Sequence, residues 1–245
     1  MGLLEGRILA QNAHGELQLG QGQGAVASSG QAPRSRIVAQ PRESVRWALH
    51  YPPVLALGPD RGPEGLDESL ALYDQGRPLE ALHRLESIAQ QDRNAHFHTL
   101  RAGLLLNLGR VDRALEAIGQ ALTLDGANSE ALALQAIVAV VQNRKKESLA
   151  TAQKAMQSNP RSAAAHIALS YAHQAGFALS QALQAAQSAV SHAPGNGTAR
   201  ARLAELQLST GQLDRGVASA RKAVALNPRV AHARGDATGS EVEAS

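Results

Sequence analysis

The histidines are the side chains in this sequence whose spacing could support metal binding or acid–base catalysis. His96 and His98 are two positions apart, which on a helix turns them about 200° away from each other. His166 and His173 share a helix face but lie about 10 Å apart along its axis, too far for one metal ion without further ligands. The spacing therefore predicts that neither pair is a metal site.

Other residue types that carry chemistry do not combine into a catalytic pattern. Glu80 and His83 have the spacing of one half of a di-iron motif, but the second half is not found in the sequence. The serines are not flanked by the glycines of a nucleophile elbow, and the sequence contains no cysteine. Glycines at 20, 22 and 24 are not followed directly by a helix pattern, as a phosphate loop requires. We therefore predict that the protein is not an enzyme and uses no metal and no cofactor.

The composition indicates which elements must position these residues. Aromatic residues make up only 2% of the chain, so alanine and leucine must provide most of the packing, which suits closely spaced helices. The net charge of +3 is small, and the only dense basic cluster is Arg144, Lys145 and Lys146, so we predict no nucleic-acid ligand. No run of about 18 apolar residues exists, so we predict no membrane span.

A helix ending recurs along the chain with a period of 34 residues. The segments that lead into Pro160, Pro194 and Pro228 resemble one another, and a fourth copy ends at Gly126. Glycines mark the middle of the unit at Gly76, Gly109 and Gly211, with Gly176 one position early. A period of this length with this punctuation is typical of a repeated helix-turn-helix unit.

The repeat resembles the tetratricopeptide repeat (TPR) family. This resemblance implies a mainly α fold: a helix-turn-helix solenoid of about five repeats over residues 66–228, with a small β-rich segment before it. The expected helix pairs are 66–75 with 78–91, 95–107 with 111–124, 129–142 with 145–158, 163–175 with 179–192, and 198–209 with 213–226.

The resemblance also implies where a ligand would bind. In TPR proteins the concave face is lined chiefly by the first helix of each unit, and unit positions 2, 5, 9, 12 and 13 usually meet the ligand. Counted from Ala95, Ser129, Ala163 and Gly197, these positions imply a peptide-binding groove that includes Leu106, Asn107, Ile137, Val140, Val141, Ile167, Tyr171, Gln174, Glu205 and Leu208. This groove is mostly apolar and lacks the Lys/Asn/Arg set with which chaperone adaptors of the family hold a terminal carboxylate. The alternative is that its aliphatic side chains, among them Ile137 and Ile167, only pack against adjacent helices.

Residues outside the repeats divide into three segments. Residues 1–40 predict short strands, two of them around a turn at 12–15 and others near 25–28 and 37–39. Residues 41–65 contain Trp47 and several prolines and glycines and are predicted to be an aromatic and proline-rich linker. Residues 229–245 are predicted to be a disordered tail.

The N-terminal segment carries a second resemblance. Residues 4–8, 17–20 and 45–53 resemble the end of a FecR-type domain of bacterial envelope proteins linked to TonB-dependent uptake. That resemblance implies a location in the periplasm or cell envelope; without it we expect the cytoplasm. The first residues lack a basic region and a long apolar core, so we expect no signal peptide.

The sequence thus predicts a non-enzymatic scaffold or adaptor that binds a protein or peptide on the concave face of the solenoid. The alternative is an envelope regulatory or sensing component whose functional part is the β-segment. The last repeat has apolar residues on its second helix and no full capping helix after it. This pattern predicts either that residues 229–234 fold back as a short cap or that the apolar face stays open and leads to self-association.

Overall fold

A computed structural model describes residues 8–19, 23–26, 30–37 and 65–226 of the chain. The chain divides into two compact units, residues 1–50 and 51–245. The predicted linker, except for residue 65, and the predicted tail lie outside the described residues.

The described part of the N-terminal unit forms two antiparallel hairpins. Strand β1 (Ile8–Asn12) pairs with β2 (Gly15–Leu19), and β3 (Gln23–Val26) pairs with β4 (Arg34–Ile37). The side-chain oxygen of Asn12 accepts the N–H of His14 at 2.9 Å, which closes the first turn. The predicted small β-rich segment is confirmed.

The described part of the second unit is helical and contains five helix hairpins. In each hairpin we name the first helix A and the second helix B. The pairs, in order, are α1 (Leu66–Asp74) with α2 (Pro78–Glu86), α3 (Ala95–Asn107) with α4 (Val111–Leu124), α5 (Ser129–Val141) with α6 (Lys145–Ser158), α7 (Ala163–Ala175) with α8 (Leu179–His192), and α9 (Gly197–Ser209) with α10 (Leu213–Leu226). The mainly α solenoid is therefore confirmed.

The last four A helices begin 34 residues apart because the same cap precedes each one. A polar side chain at the N-cap accepts a backbone N–H three residues on, which satisfies a donor that the helix itself cannot pair. The caps are Asn94, Asn128, Ser162 and Asn196, with distances of 3.0, 2.9, 3.2 and 2.9 Å.

The turn between helices A and B needs one residue with positive φ, the left-handed conformation that glycine adopts most easily. Gly76, Gly109 and Gly211 fill this place in three repeats, and Asn143 fills it in the third. In the fourth repeat the residue is Phe177, with φ of 61°, while the neighbouring Gly176 has φ of −88°. The glycine that the sequence places one position early is therefore not the turn residue.

The first hairpin departs from the expected boundaries. Helix α2 ends at Glu86 rather than at 91, and a short 3-10 turn (Gln90–Asp92) follows. Arg93 donates to the carbonyl oxygens of Ile88 at 3.0 Å and Glu86 at 2.9 Å. These bonds satisfy carbonyl groups at the end of α2, so the helix need not continue.

Small residues bring the two helices of each hairpin together. Six alanines at these contacts are 0–1% exposed: Ala114, Ala121, Ala155, Ala182, Ala189 and Ala223. Gly216 is the tightest case, since a Cβ there would lie 2.6 Å from the side chain of Leu208. Successive A helices also contact one another, from α3 to α5, α5 to α7 and α7 to α9. They form the inner row of the solenoid, with the B helices outside.

Candidate functional site

The inner face of the A helices is the surface on which a ligand was predicted to bind. Three of the predicted residues are core residues instead: Leu106, Ile137 and Ile167 are 4%, 1% and 0% exposed. Each is covered by neighbouring helices, because the small residues around them allow close packing. The structure thus corrects these three positions, which present almost no surface to a ligand.

The other predicted groove residues keep accessible surface. Leu208 is 40% exposed, and six more are half-buried: Asn107, Val140, Val141, Tyr171, Gln174 and Glu205. Val140, Val141 and Tyr171 also pack against the core with part of their surface. The accessible part of the inner face is therefore a mixed surface, aliphatic on α5 and more polar on α7 and α9.

A buried arginine organises the polar end of this face. The side chain of Arg202, in α9, is 1% exposed. Its Nε donates to the Ser170 hydroxyl at 2.6 Å, and its Nη2 donates to the Ser170 carbonyl oxygen at 3.2 Å and to Gln174 Oε1 at 2.7 Å. Its guanidinium also lies over the ring of Tyr171, 3.6 Å from the ring centroid. Arg202 therefore fixes the orientation of two predicted ligand-binding residues.

The same arginine balances the charge of Glu205. Arg202 Nη1 lies 3.0 Å from Glu205 Oε1, but its N–H groups lack hydrogen-bond geometry, so the contact is an ion pair without a hydrogen bond. Because the pair is close and half-enclosed, the carboxylate adds little net charge to the inner face.

Arg202 is not among the predicted site residues, although the sequence holds a signal for it. Position 6 of the unit is Leu100, Leu134 and Ala168 in the preceding three repeats and arginine only in the fifth. A charged residue at a position that is otherwise aliphatic indicates a buried polar contact, not a solvated side chain.

An open pocket of about 780 Å³ lies beside the shortened helix α2. Its wall contains Gln90 and Arg93 from the segment that replaces the end of that helix, with His98 and Arg101 from α3. Burial lowers the pKa of His98, and the guanidinium groups of Arg101 and Arg93 lower it further. Arg101 already pairs with Glu86 at 3.3 Å, so the arginines of this pocket are engaged within the protein.

The described histidines do not cluster as the ligands of a metal ion would. His166 stacks on His192, with ring centroids 5.0 Å apart, and its Nε2 lies 3.0 Å from the carbonyl oxygen of Pro160. Burial lowers the pKa of His166, and burial also lowers the pKa of His173. Within the described residues, no group of three or more histidine or acidic side chains could hold a metal ion. No helix of the described ranges is long and apolar enough to cross a membrane.

The repeats in the sequence match models of a known protein family. Two family models, both described as tetratricopeptide repeat, match residues 66–131 and 175–236, which together span just over half of the chain. The chain is a tetratricopeptide-repeat protein. Neither match includes residues 1–65, so the FecR-type resemblance of the N-terminal segment stays a prediction. No curated protein matches the sequence.

The chain is similar to several solved structures. A thermophilic TPR protein of Thermus thermophilus is 24% identical, with a TM-score of 0.59 over 69% of this chain and 95% of its own. A chain of the APC/C hetero-tetramer Cut9–Hcn1 is 15% identical, with a TM-score of 0.55 over 69% of this chain and 34% of its own. MamA from Desulfovibrio magneticus RS-1 is 20% identical, with a TM-score of 0.43 over 69% of this chain and 98% of its own.

Proposed function

We propose that the protein is a non-enzymatic scaffold or adaptor that binds a protein or peptide on the inner face of its A helices. The TPR fold in general supports a protein-interaction scaffold. The observation that carries this proposal is the accessible strip on α5, α7 and α9, which carries aliphatic side chains and the ordered Tyr171.

The chemistry of this strip favours a ligand with apolar anchors. The complex is stabilised when apolar side chains of a ligand exclude water from Val140, Val141 and Leu208. Tyr171 is held by the guanidinium of Arg202, so its side chain loses little conformational entropy when a ligand binds. An extended or helical peptide with aliphatic side chains at intervals fits this arrangement best.

Charge contributes little to the proposed binding. Glu205 is paired with Arg202, which leaves Glu130 as the main ionised group of the inner positions. Binding should therefore weaken only slightly as the salt concentration rises, in contrast to the steep salt dependence of a charged groove.

The test uses a ligand selected from a random peptide library against the full chain. Replacing Val141 by aspartate and Tyr171 by alanine should reduce affinity for that peptide by about a hundred-fold, since hot-spot contacts carry most of the binding energy. Circular dichroism should show nearly unchanged helicity in the double variant.

The matched control places the same aspartate on the outer row. Ala150→Asp, at an exposed position of α6, should leave the peptide affinity unchanged. If the inner double variant retains the parental affinity, the ligand binds elsewhere, and the outer B helices or the N-terminal unit become the better candidates.

A further inference from the structure

Helix α10, the last helix of the described residues, leaves open a face that is covered on the corresponding helices of the preceding repeats. Val217 and Val224, at unit positions 21 and 28, are 44% and 41% exposed. In the fourth repeat the same positions hold Leu183 and Val190, and both pack against a buried cluster that includes Leu203 and Leu206 of α9. The second and third repeats repeat this pattern with half-buried aliphatic side chains: Leu115 and Leu122, then Leu149 and Met156.

One repeat period after α9, the sequence differs from the residues that cover this face in the preceding repeat. Adding the 34-residue period to Leu203 and Leu206 leads to Ala237 and Ser240. An alanine and a serine have too little apolar surface to replace two leucines. A different group of apolar residues is needed to cover Val217 and Val224.

The open face itself has the pattern of a helix-pairing seam. Leu213, Val217, Ala220 and Val224 are separated by four, three and four residues, the heptad spacing of paired helices. At about 100° per residue they lie within an arc of about 60°. The side of α10 that faces α9 is separate and holds Gly216, Ser219 and Ala223, which are buried.

Two charged residues flank the seam on the side away from α9. Asp214 and Arg221 are seven residues apart, so they lie on the same edge of the helix. Neither has an ion-pair partner among the described residues. In two antiparallel copies of α10, Asp214 lies opposite the partner's Arg221, and the symmetry repeats the pair.

We propose that a second copy of this chain covers the face, with α10 packed antiparallel against α10 of the partner around a two-fold axis. Such a contact is self-complementary both in its apolar seam and in its charges, as a two-fold interface requires. The seam spans only two heptads, so the dimer is weak and depends on protein concentration.

Charge reversal in the full-length chain tests this arrangement by sedimentation equilibrium. Asp214→Arg places two arginines opposite each other at both ends of the contact, and Arg221→Asp does the same with aspartates. Each single variant should weaken dimerisation by about ten-fold or more, since like charges at an interface repel. The double variant, Asp214→Arg with Arg221→Asp, restores opposite pairs and should return to within about three-fold of the parental constant.

A seam variant and a control complete the design. Val217→Asp should remove dimerisation, because it buries a carboxylate without a partner. Leu124→Asp, at a 59% exposed position of α4 outside the seam, should leave it unchanged. Circular dichroism should confirm that each variant remains folded.

Two results would overturn the proposal. One is a full-length chain that stays monomeric up to about 0.5 mM, a concentration at which even small interfaces associate. Residues 227–245 or a different protein would then cover the face. The other is a double charge reversal that remains as weak as the single variants, which would exclude the antiparallel pairing of Asp214 and Arg221.

Discussion

Helices α5 and α9 have the same frame, meaning the same length, N-cap and place in the repeat, but their side chains differ in chemistry. Both have thirteen residues, and both follow an asparagine whose side chain caps the helix. Their first residues lie 68 positions apart, two full repeat periods. The frame is thus set by elements at the ends of each helix and does not depend on what the inner positions contain.

The inner positions of these two helices diverge strongly. Position 6 is the buried Leu134 in α5 and the buried Arg202 in α9, and position 9 is Ile137 in α5 and Glu205 in α9. A charged pair has therefore replaced an aliphatic pair without a change in helix length or register. Caps, turns and small contact residues therefore fix the repeat, which leaves the inner row free to vary.

The largest effect is expected from removing the arginine that distinguishes α9. Arg202→Ala should lower the free energy of unfolding by roughly 2–5 kcal/mol, the range for large-to-small replacements in a core. The variant also leaves Ser170 and Gln174 without their donor. Urea unfolding followed by circular dichroism would measure the change.

A second replacement at this position separates the effect of side-chain volume from that of the hydrogen bonds. Arg202→Leu gives α9 the residue type of Leu134 and refills the volume, so its loss of stability should be smaller than that of Arg202→Ala. If leucine is as destabilising as alanine, hydrogen bonds rather than volume dominate at this site. If neither variant changes stability, Arg202 does not hold the inner face as described.

A smaller loss of stability is expected when a bulky side chain replaces a small residue at the contact between paired helices. Ala189 is 0% exposed at the contact of α8 with its A helix, so Ala189→Leu should destabilise the protein by roughly 1–3 kcal/mol. Gln187→Leu, at an exposed position two residues away, is the matched control. Equal thermal midpoints for the two variants would show that the repeat register is assigned wrongly.

Much of this frame could be predicted from the sequence, because each repeat carries its own local signals. The recurring ending at Pro160 and Pro194 and the polar caps act within a few residues of each helix end, so the boundaries of the last four hairpins were predicted closely. The end of α2 was not, since it depends on Arg93 reaching back to carbonyl groups at Glu86 and Ile88.

The candidate site was less predictable because burial depends on neighbouring repeats. Ile137 and Ile167 lie at inner positions by spacing, but small side chains around them let adjacent helices close over them. Arg202 was missed for the converse reason, since arginine is ordinarily exposed and its partners Ser170 and Gln174 lie in the preceding repeat. Spacing identifies the face of a helix, whereas side-chain volumes decide how much of that face stays open.

A modest gain in stability is expected at the turn of the fourth repeat, where a phenylalanine occupies the position that glycine fills in three other repeats. Phe177 holds a left-handed conformation that is unfavourable for a bulky residue, and it is 82% exposed. Phe177→Gly should raise the free energy of unfolding by about 0.5–1 kcal/mol, with a small loss from the contact of Lys145 with the ring. Asn143→Gly should gain less, because asparagine tolerates this conformation. A lower thermal midpoint for Phe177→Gly would show that the aromatic ring stabilises the turn.

The smallest effect concerns position 4, which is Leu132 in α5 and His166 in α7. Burial holds the pKa of His166 below its ordinary value of 6.5, so the folded protein keeps this ring neutral where the unfolded chain takes up a proton. The associated stability is therefore present above pH 6.5 and is lost as the pH falls toward the lowered pKa. His98 and His173 shift in the same direction, so the whole protein should become less stable as the pH falls below about 6.5.

His166→Leu isolates this contribution by giving α7 the residue that α5 holds at the same position. The variant should lose less stability on acidification than the parent, because it removes a buried ring that must be protonated beside the stacked His192. His83→Gln, which removes a histidine from an exposed site of α2, is the comparison. Thermal midpoints measured at half-unit pH intervals should give a shallower slope for His166→Leu than for His83→Gln. Equal slopes would mean that His166 is protonated equally in the folded and unfolded chains, contrary to its burial against α8.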